Sequence, residues 1–208
     1  MDALEILSGC GIVPVLVIED ETSAVDLALA LRDAGITAIE VTLRTSGALS
    51  AIEAIASQVQ GLAVGAGSIR NPEHISQVMN AGAAFAVSPG ATPTILDAAE
   101  AAVIPFVPGA VTASEVLALM EKGYRLQKFF PAQLSGGVAM LKALNSPLPE
   151  VAFFPTGGIN GEVATQYLEL SCVACIGGSW FVPREKLAER RFHDITRLAK
   201  EAMQICHG

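Results

Sequence analysis

The chain has 208 residues, 51% of them hydrophobic and only 16% charged, with a mean hydropathy of +0.49 and a formal net charge of -8. The longest charge-free stretch, 75–96, is long enough to span a bilayer. Asn80, Gly82, Ser88, Pro89, Gly90, Thr92, Pro93 and Thr94 interrupt it, so no membrane span is expected. Six of the thirteen basic residues lie in 184–208, leaving seven against seventeen acidic in the body, which argues against a nucleic-acid partner.

The apolar residues are therefore expected to fill one core, in a single domain over 1–208. Residues 1–18 contain Asp2 and Glu5 but no Lys or Arg, so no secretory signal is expected and the cytoplasm is the expected location.

Short apolar runs rich in Val, Ile and Phe begin near Ile12, Ala38, Leu62, Phe85, Val103, Arg125, Val151 and Cys172, 18 to 26 residues apart. Each is followed by a helical pattern, as at 23–34 and 48–59. Eight such units predict a parallel sheet covered by helices. The count of eight, with no G-x-G-x-x-G after the first run, favours a closed α/β fold, a (β/α)8 barrel with short loops, over an open doubly wound sheet.

In the second strand, Glu40, Thr42 and Arg44 share one face while Ile39, Val41 and Leu43 share the other. The apolar set must pack on helices, so the polar set points into the barrel. A carboxylate there requires a cation, and Arg44 and Lys128 are the candidates.

Glycine-bearing turns follow several strands: Gly65-Ala66-Gly67-Ser68, Ser88-Pro89-Gly90, Pro108-Gly109, Thr156-Gly157-Gly158 and Gly177-Gly178-Ser179. Short loops need glycine in any case. Five on the rim where barrels build their sites favour a ligand site.

Lys128 sits in the sixth strand, Leu126-Gln127-Lys128-Phe129-Phe130-Pro131, with aromatic neighbours and no acid nearby in sequence. Burial there is expected to lower its pKa from the usual ~10.4 and yield a neutral amine able to attack a ketone. Lys128, Glu40 and Arg44 together read as nucleophile, proton shuttle and anion clamp. A structural lysine reaching for the rim and a structural Glu-Arg pair fit the same residues taken singly.

Cys172 and Cys175 form a C-x-x-C. Placed in one strand, an odd separation sends them to opposite faces, so they read as buried apolar residues, and no metal site is expected. His74, His193 and His207 fall on predicted helices or the tail. The basic residues of that tail (Arg184, Lys186, Arg190, Arg191, Arg197, Lys200) alternate with acids at helical spacing and read as a solvated helix face.

Val13-Pro14-Val15, Glu40-Val41-Thr42-Leu43-Arg44-Thr45, Val64-Gly65-Ala66-Gly67, Ser88-Pro89-Gly90, Lys128-Phe129-Phe130-Pro131-Ala132, Pro155-Thr156-Gly157-Gly158-Ile159 and Cys175-Ile176-Gly177-Gly178-Ser179-Trp180 run in order through almost the whole chain. In these the chain resembles the 2-keto-3-deoxy-6-phosphogluconate (KDPG) aldolases, which also include 4-hydroxy-2-oxoglutarate aldolases. The resemblance implies a class I lyase of the Entner-Doudoroff pathway that uses no metal or cofactor. It makes Lys128 the Schiff-base lysine and Glu40 the acid and base, with Arg44, Gly67 and Ser68 on the pyruvate carboxylate. Thr156, Gly157, Gly158, Gly178 and Ser179 match the phosphate pocket; Thr42, Pro89 and Phe130 are expected to line the site. The implied partner is a phosphorylated 2-keto acid, and the implied assembly a homotrimer. Ser68 stands where members commonly have threonine, and Gln133 where many have glutamate. Alternative readings are an aldolase acting mainly on 4-hydroxy-2-oxoglutarate, a metal-dependent pyruvate aldolase, and a non-catalytic sugar-phosphate binder.

Overall fold

The computed structural model of the chain describes residues 2–206. The elements in chain order are α1 (Ala3–Leu7), β1 (Gly11–Leu16), α2 (Ala24–Arg32), β2 (Ala38–Thr42), α3 (Ala48–Gln58), β3 (Ala63–Gly67), α4 (Pro72–Asn80), β4 (Phe85–Val87) and α5 (Pro93–Ala102). They continue with β5 (Phe106–Val107), α6 (Ala113–Glu121), β6 (Leu126–Phe129), α7 (Gly137–Asn145), β7 (Ala152–Pro155), α8 (Ala164–Leu168), β8 (Cys175–Gly178), α9 (Arg184–Ala188) and α10 (Phe192–Gln204).

Several helix starts are written in the sequence. Asn71 and Thr92 cap α4 and α5 through their side chains, each with a proline at the first turn, and Thr112 forms a reciprocal capping box with Glu115 on α6. Such caps satisfy amides that the first turn leaves open, at about 1 kcal/mol each.

Six strands pair in the order β5-β4-β3-β2-β1-β8, and β6 pairs with β7, all in parallel. Isolated bridges join the two sets: Gly109 with Lys128 on one side, Phe153 with Val173 and Thr156 with Gly177 on the other. At the first seam Lys128 N–H donates to the Pro108 carbonyl at 2.8 Å, and the Lys128 carbonyl accepts from Ala110 N–H at 2.9 Å. The wall thereby closes on itself as the (β/α)8 barrel that the eight apolar runs predict.

Alternation along the strands divides the core into two layers. Ile39 and Val41 of β2 join Leu27, Leu31, Ile52, Ile55 and Ile176 between wall and helices. Val13, Ala38, Phe85, Val87, Val107, Leu126, Phe154 and Cys175 fill the interior, with Ala3, Leu7 and Cys10 closing its N-terminal end. Each fully buried Leu or Ile contributes roughly 1.5–3 kcal/mol, so the interior plug leaves the opposite end free for polar side chains without loss of the fold.

Four expectations need correction. Val103 ends α5 in a left-handed conformation at φ 55° and is 86% exposed; the strand starts only at Phe106, after Pro105, which has no N–H to give a ladder. Cys172 lies in the turn before β8 rather than in it. The alternation argument therefore does not apply to the cysteine pair. They separate by layer instead, Cys172 on the helix side and Cys175 in the interior. Strand β2 stops at Thr42, which puts Arg44 in the following turn. Gly65 and Gly67 belong to β3 itself, and Gly177 and Gly178 to β8, not to turns after them.

The basic tail largely reads as expected. Arg197 pairs with Glu201 at 2.7 Å, Lys186 and Arg191 both meet Asp194, and Arg190 reaches Asp20 and Asp26. Meanwhile Ile195, Ala199 and Ala202 of α10 are buried, and Thr196 Oγ1 donates to the Ala30 carbonyl of α2 at 3.0 Å. Among the described residues no helix is long and apolar enough to cross a membrane.

Candidate active site

Since Ala38 faces the interior, so do Glu40 and Thr42 two and four residues on. By the same rule Leu126 brings Lys128 inward on β6, and Phe154 stands beside it in register on β7. The fold supplies the acid that the local sequence around Lys128 lacks. Lys128 Nζ donates to Glu40 Oε1 at 2.9 Å and to Oε2 at 3.2 Å, with Glu40 fully buried and Lys128 5% exposed. Lys128, not Arg44, is thus the partner of Glu40.

The glycines of β3 make this pair possible. A Cβ on Gly67 would overlap the Glu40 carboxylate, and one on Gly65 would overlap the Phe85 ring. Both glycines thus leave room for a neighbouring side chain. The Lys128 ammonium also lies 5.5 Å from the Phe130 ring centre and 5.7 Å from that of Phe154, within cation–π range. Phe154 was not singled out from sequence, although the period of two on β7 puts it on the face of Thr156.

Arg44 leaves the barrel wall and its Nε donates to Ser68 Oγ at 3.2 Å. Ser68 holds φ 62°, which costs a non-glycine residue about 1–2 kcal/mol. That backbone turns its hydroxyl toward the guanidinium. Thr42 is fully buried and its hydroxyl donates to the Leu16 carbonyl at 2.9 Å, so it ties β2 to β1 at the level of the site.

Across the mouth, Thr156 is bridged to Gly177, where a Cβ would overlap the threonine side chain. Its buried hydroxyl has no hydrogen-bond partner among the described residues, a state that folded proteins rarely leave uncompensated. Gly157 and Gly158 follow at φ 103° and 77°, conformations that need glycine; Gly157 lies against the Phe130 ring and Gly158 against Gln133. Gly178 lies under the Trp180 ring, Ser179 is exposed, and Pro89 stands at the rim with its backbone against Gly109.

A cavity of about 330 Å³ opens at this end, lined among others by Val15, Arg44, Ser179, Trp180 and Arg184. Val15, the register partner of Glu40, is among its lining residues, while the buried Glu40 and Lys128 are not. Arg184, exposed at the start of α9 as the tail reading expects, lines this cavity and has no acidic partner among the described residues. Its place five residues after Ser179, directly behind the eighth strand's turn, was the available signal.

Burial raises the Cys10, Cys172, Cys175 and Cys206 thiols, Cys175 well above the ordinary value. Among the described residues no three His, Cys, Asp or Glu come together to hold a metal ion. His74 is on α4 and His193 on α10, while His207 lies outside the described residues.

The family model for aldolases of the KDPG and KHG type matches residues 4–198. A KHG/KDPG aldolase of Escherichia coli K12 is 45% identical over 202 residues, covering 97% of this chain and 95% of the relative. The 2-dehydro-3-deoxy-phosphogluconate aldolase of Pseudoalteromonas atlantica is 45% identical over 204 residues, covering 98% and 95%. Among solved structures, the KDPG aldolase of Legionella pneumophila, with pyruvate captured as a covalent carbinolamine, superposes with a TM-score of 0.94 at 40% identity, covering 97% of this chain and 98% of that one. The chain therefore belongs to the KDPG and KHG aldolase family.

Proposed function

We propose that this chain is a class I aldolase that cleaves KDPG to pyruvate and glyceraldehyde 3-phosphate. The observation that carries the reading is the buried Lys128 ammonium on the Glu40 carboxylate at the mouth of the barrel. The names of its relatives support the substrate class.

The reaction needs a free amine. Glu40 accepts a proton from Lys128, whose amine attacks the C2 ketone; Glu40 returns that proton to the departing C2 hydroxyl, so that water leaves, the carboxylate is restored and an iminium remains as electron sink. Glu40 then takes the C4 hydroxyl proton as the C3–C4 bond breaks and the aldehyde leaves. The enamine is protonated at C3 and hydrolysis frees pyruvate and the lysine. Arg44, with Gly67 and Ser68, is assigned to the pyruvate carboxylate. Thr156, Gly157, Gly158, Gly178 and Ser179 are assigned to the phosphate, and Thr42, Pro89 and Phe130 to the lining.

The homotrimer belongs to the same proposal; Leu134, 90% exposed just after β6, is the kind of apolar side chain a subunit contact covers. So does the cytoplasm, where thiols stay reduced, in keeping with the free Cys10, Cys172, Cys175 and Cys206.

The test is a coupled pyruvate-release assay on KDPG, its C4 epimer and 4-hydroxy-2-oxoglutarate, with and without a chelator. Release from KDPG that survives chelation is expected. Loss on chelation would turn the reading to a metal-dependent aldolase, and ligand-induced stabilisation without turnover to a non-catalytic binder. Faster release from 4-hydroxy-2-oxoglutarate would move the main activity to that substrate.

A further inference from the structure

We infer that Arg184 determines substrate choice: from the far side of the cavity it contacts the distal phosphate and makes this chain prefer phosphorylated over unphosphorylated 2-keto acids. The inference rests on the aldolase reading above and goes beyond it in assigning a charge-bearing contact to the phosphate end.

Two arginines, Arg44 and Arg184, line one cavity, and among the described residues neither has a carboxylate partner. By contrast Lys186, Arg190, Arg191 and Arg197 in the same tail all pair with acids. A guanidinium that lines a cavity without an acidic partner is a ready donor to a carboxylate or phosphate. The substrate has two anionic ends, and position divides them. The hydrogen bond to Ser68 fixes Arg44 beside β2 and β3. Arg184 follows β8, on the side of Ser179 and of Thr156, whose buried hydroxyl also lacks a partner. Phosphate sites of barrels recur after strands seven and eight.

Arg184 also borders a second cavity with Glu19, Asp20 and Glu185, none of which pairs with it. Those acids disfavour an anion on that side, so the accepting face is the one toward Ser179 and Trp180. Glycine amides and hydroxyls bind any anion of suitable shape. A full positive charge discriminates a dianionic phosphate from a hydroxyl at the same place.

The experiment compares the full chain with Arg184→Ala and Arg184→Lys, using KDPG, unphosphorylated 2-keto-3-deoxygluconate and 4-hydroxy-2-oxoglutarate. Arg184→Ala is expected to raise KM for KDPG about 5- to 20-fold with kcat within about twofold, since the contact is charge-assisted yet partly screened. KM for unphosphorylated 2-keto-3-deoxygluconate stays unchanged, KM for 4-hydroxy-2-oxoglutarate, whose distal end is a carboxylate, rises less than that for KDPG, and Arg184→Lys restores part of the loss. Inorganic phosphate, titrated calorimetrically into wild type and Arg184→Ala, should bind the variant more weakly by a similar factor. Equal KM changes for all three substrates, or none for KDPG, would overturn the assignment. If wild type released no pyruvate from any substrate, the aldolase reading would fail, and the phosphate titration would still decide whether Arg184 holds the anion.

Discussion

Lys128 and Glu40, 88 residues apart in sequence, are joined by two hydrogen bonds in which one ammonium serves both oxygens of one carboxylate. Moving a proton from Nζ to Oε1 turns this ion pair into an amine and a carboxylic acid. The net charge of the interior is unchanged, so the low-polarity surroundings do not oppose the step as they would a lone ionisation. A single transfer yields both the nucleophile and a loaded acid.

Lys128→Met removes the amine but keeps much of the apolar stem. Borohydride trapping with pyruvate, read by mass spectrometry, should vanish, and turnover should fall by about 10⁴-fold or more. Because the change strands Glu40, unfolding by urea should show a loss of roughly 3–5 kcal/mol, partly recovered in the Lys128→Met/Glu40→Gln double variant. Wild-type trapping in Lys128→Met would place the nucleophile elsewhere.

Glu40→Gln keeps the shape and a hydrogen bond to Lys128 but no longer accepts a proton. Turnover should drop about 10²- to 10⁴-fold. Trapping with pyruvate should persist at a slower rate. Near-normal kcat would move the proton shuttle to another group.

Gly67→Ala tests the space for the carboxylate. The added methyl overlaps Glu40 and forces it aside. Stability should fall by roughly 1–3 kcal/mol. The kcat/KM should fall by about 10²-fold, because a displacement of an ångström at a reacting group costs that much. A variant with full activity would show that Glu40 need not sit where it does.

The barrel was legible because buried parallel strands leave continuous apolar runs, and eight of them returned at a steady step. The inward face of β2 was legible for a related reason: Ile39 and Val41 have to meet the helices, so Glu40 cannot. What stayed hidden were relations across the ring. The sequence left open whether Arg44 or Lys128, 88 residues away, meets Glu40, and no local pattern says that Gly67 clears space for the carboxylate. Strand ends misled where propensity and geometry conflict. Val103 looks like a strand residue but is used as a helix stop, and Arg44 continues the alternation of β2 after its ladder has ended. Arg184 was absorbed into a charge pattern that Lys186, Arg190, Arg191 and Arg197 obey and that it and Lys200, among the described residues, do not.

Cys175 gives the chain a pH dependence of known sign. Burial, then the nearby Cys10 and Glu40, holds its thiol well above the ordinary 9.0. The native state therefore keeps a proton that the unfolded chain releases. This contribution is intact below about pH 9 and is lost as pH rises beyond it, with a limiting slope of about 1.4 kcal/mol per pH unit. Thermal melts between pH 8 and 10.5 should show a falling Tm, less steep in Cys175→Val. An equal slope in that variant would assign the effect to other groups.

Closure of the wall between β5 and β6 runs through the peptide groups of Lys128, not through its side chain. Position 128 thus carries two separable inheritances, one written in the amide and carbonyl that any residue but proline retains, the other in the amine that only lysine supplies. A descendant of this chain can exchange the second and still keep its ring closed once Glu40 is changed with it, so what ties the chemistry of position 128 to stability is the carboxylate it faces and not the ladder it completes.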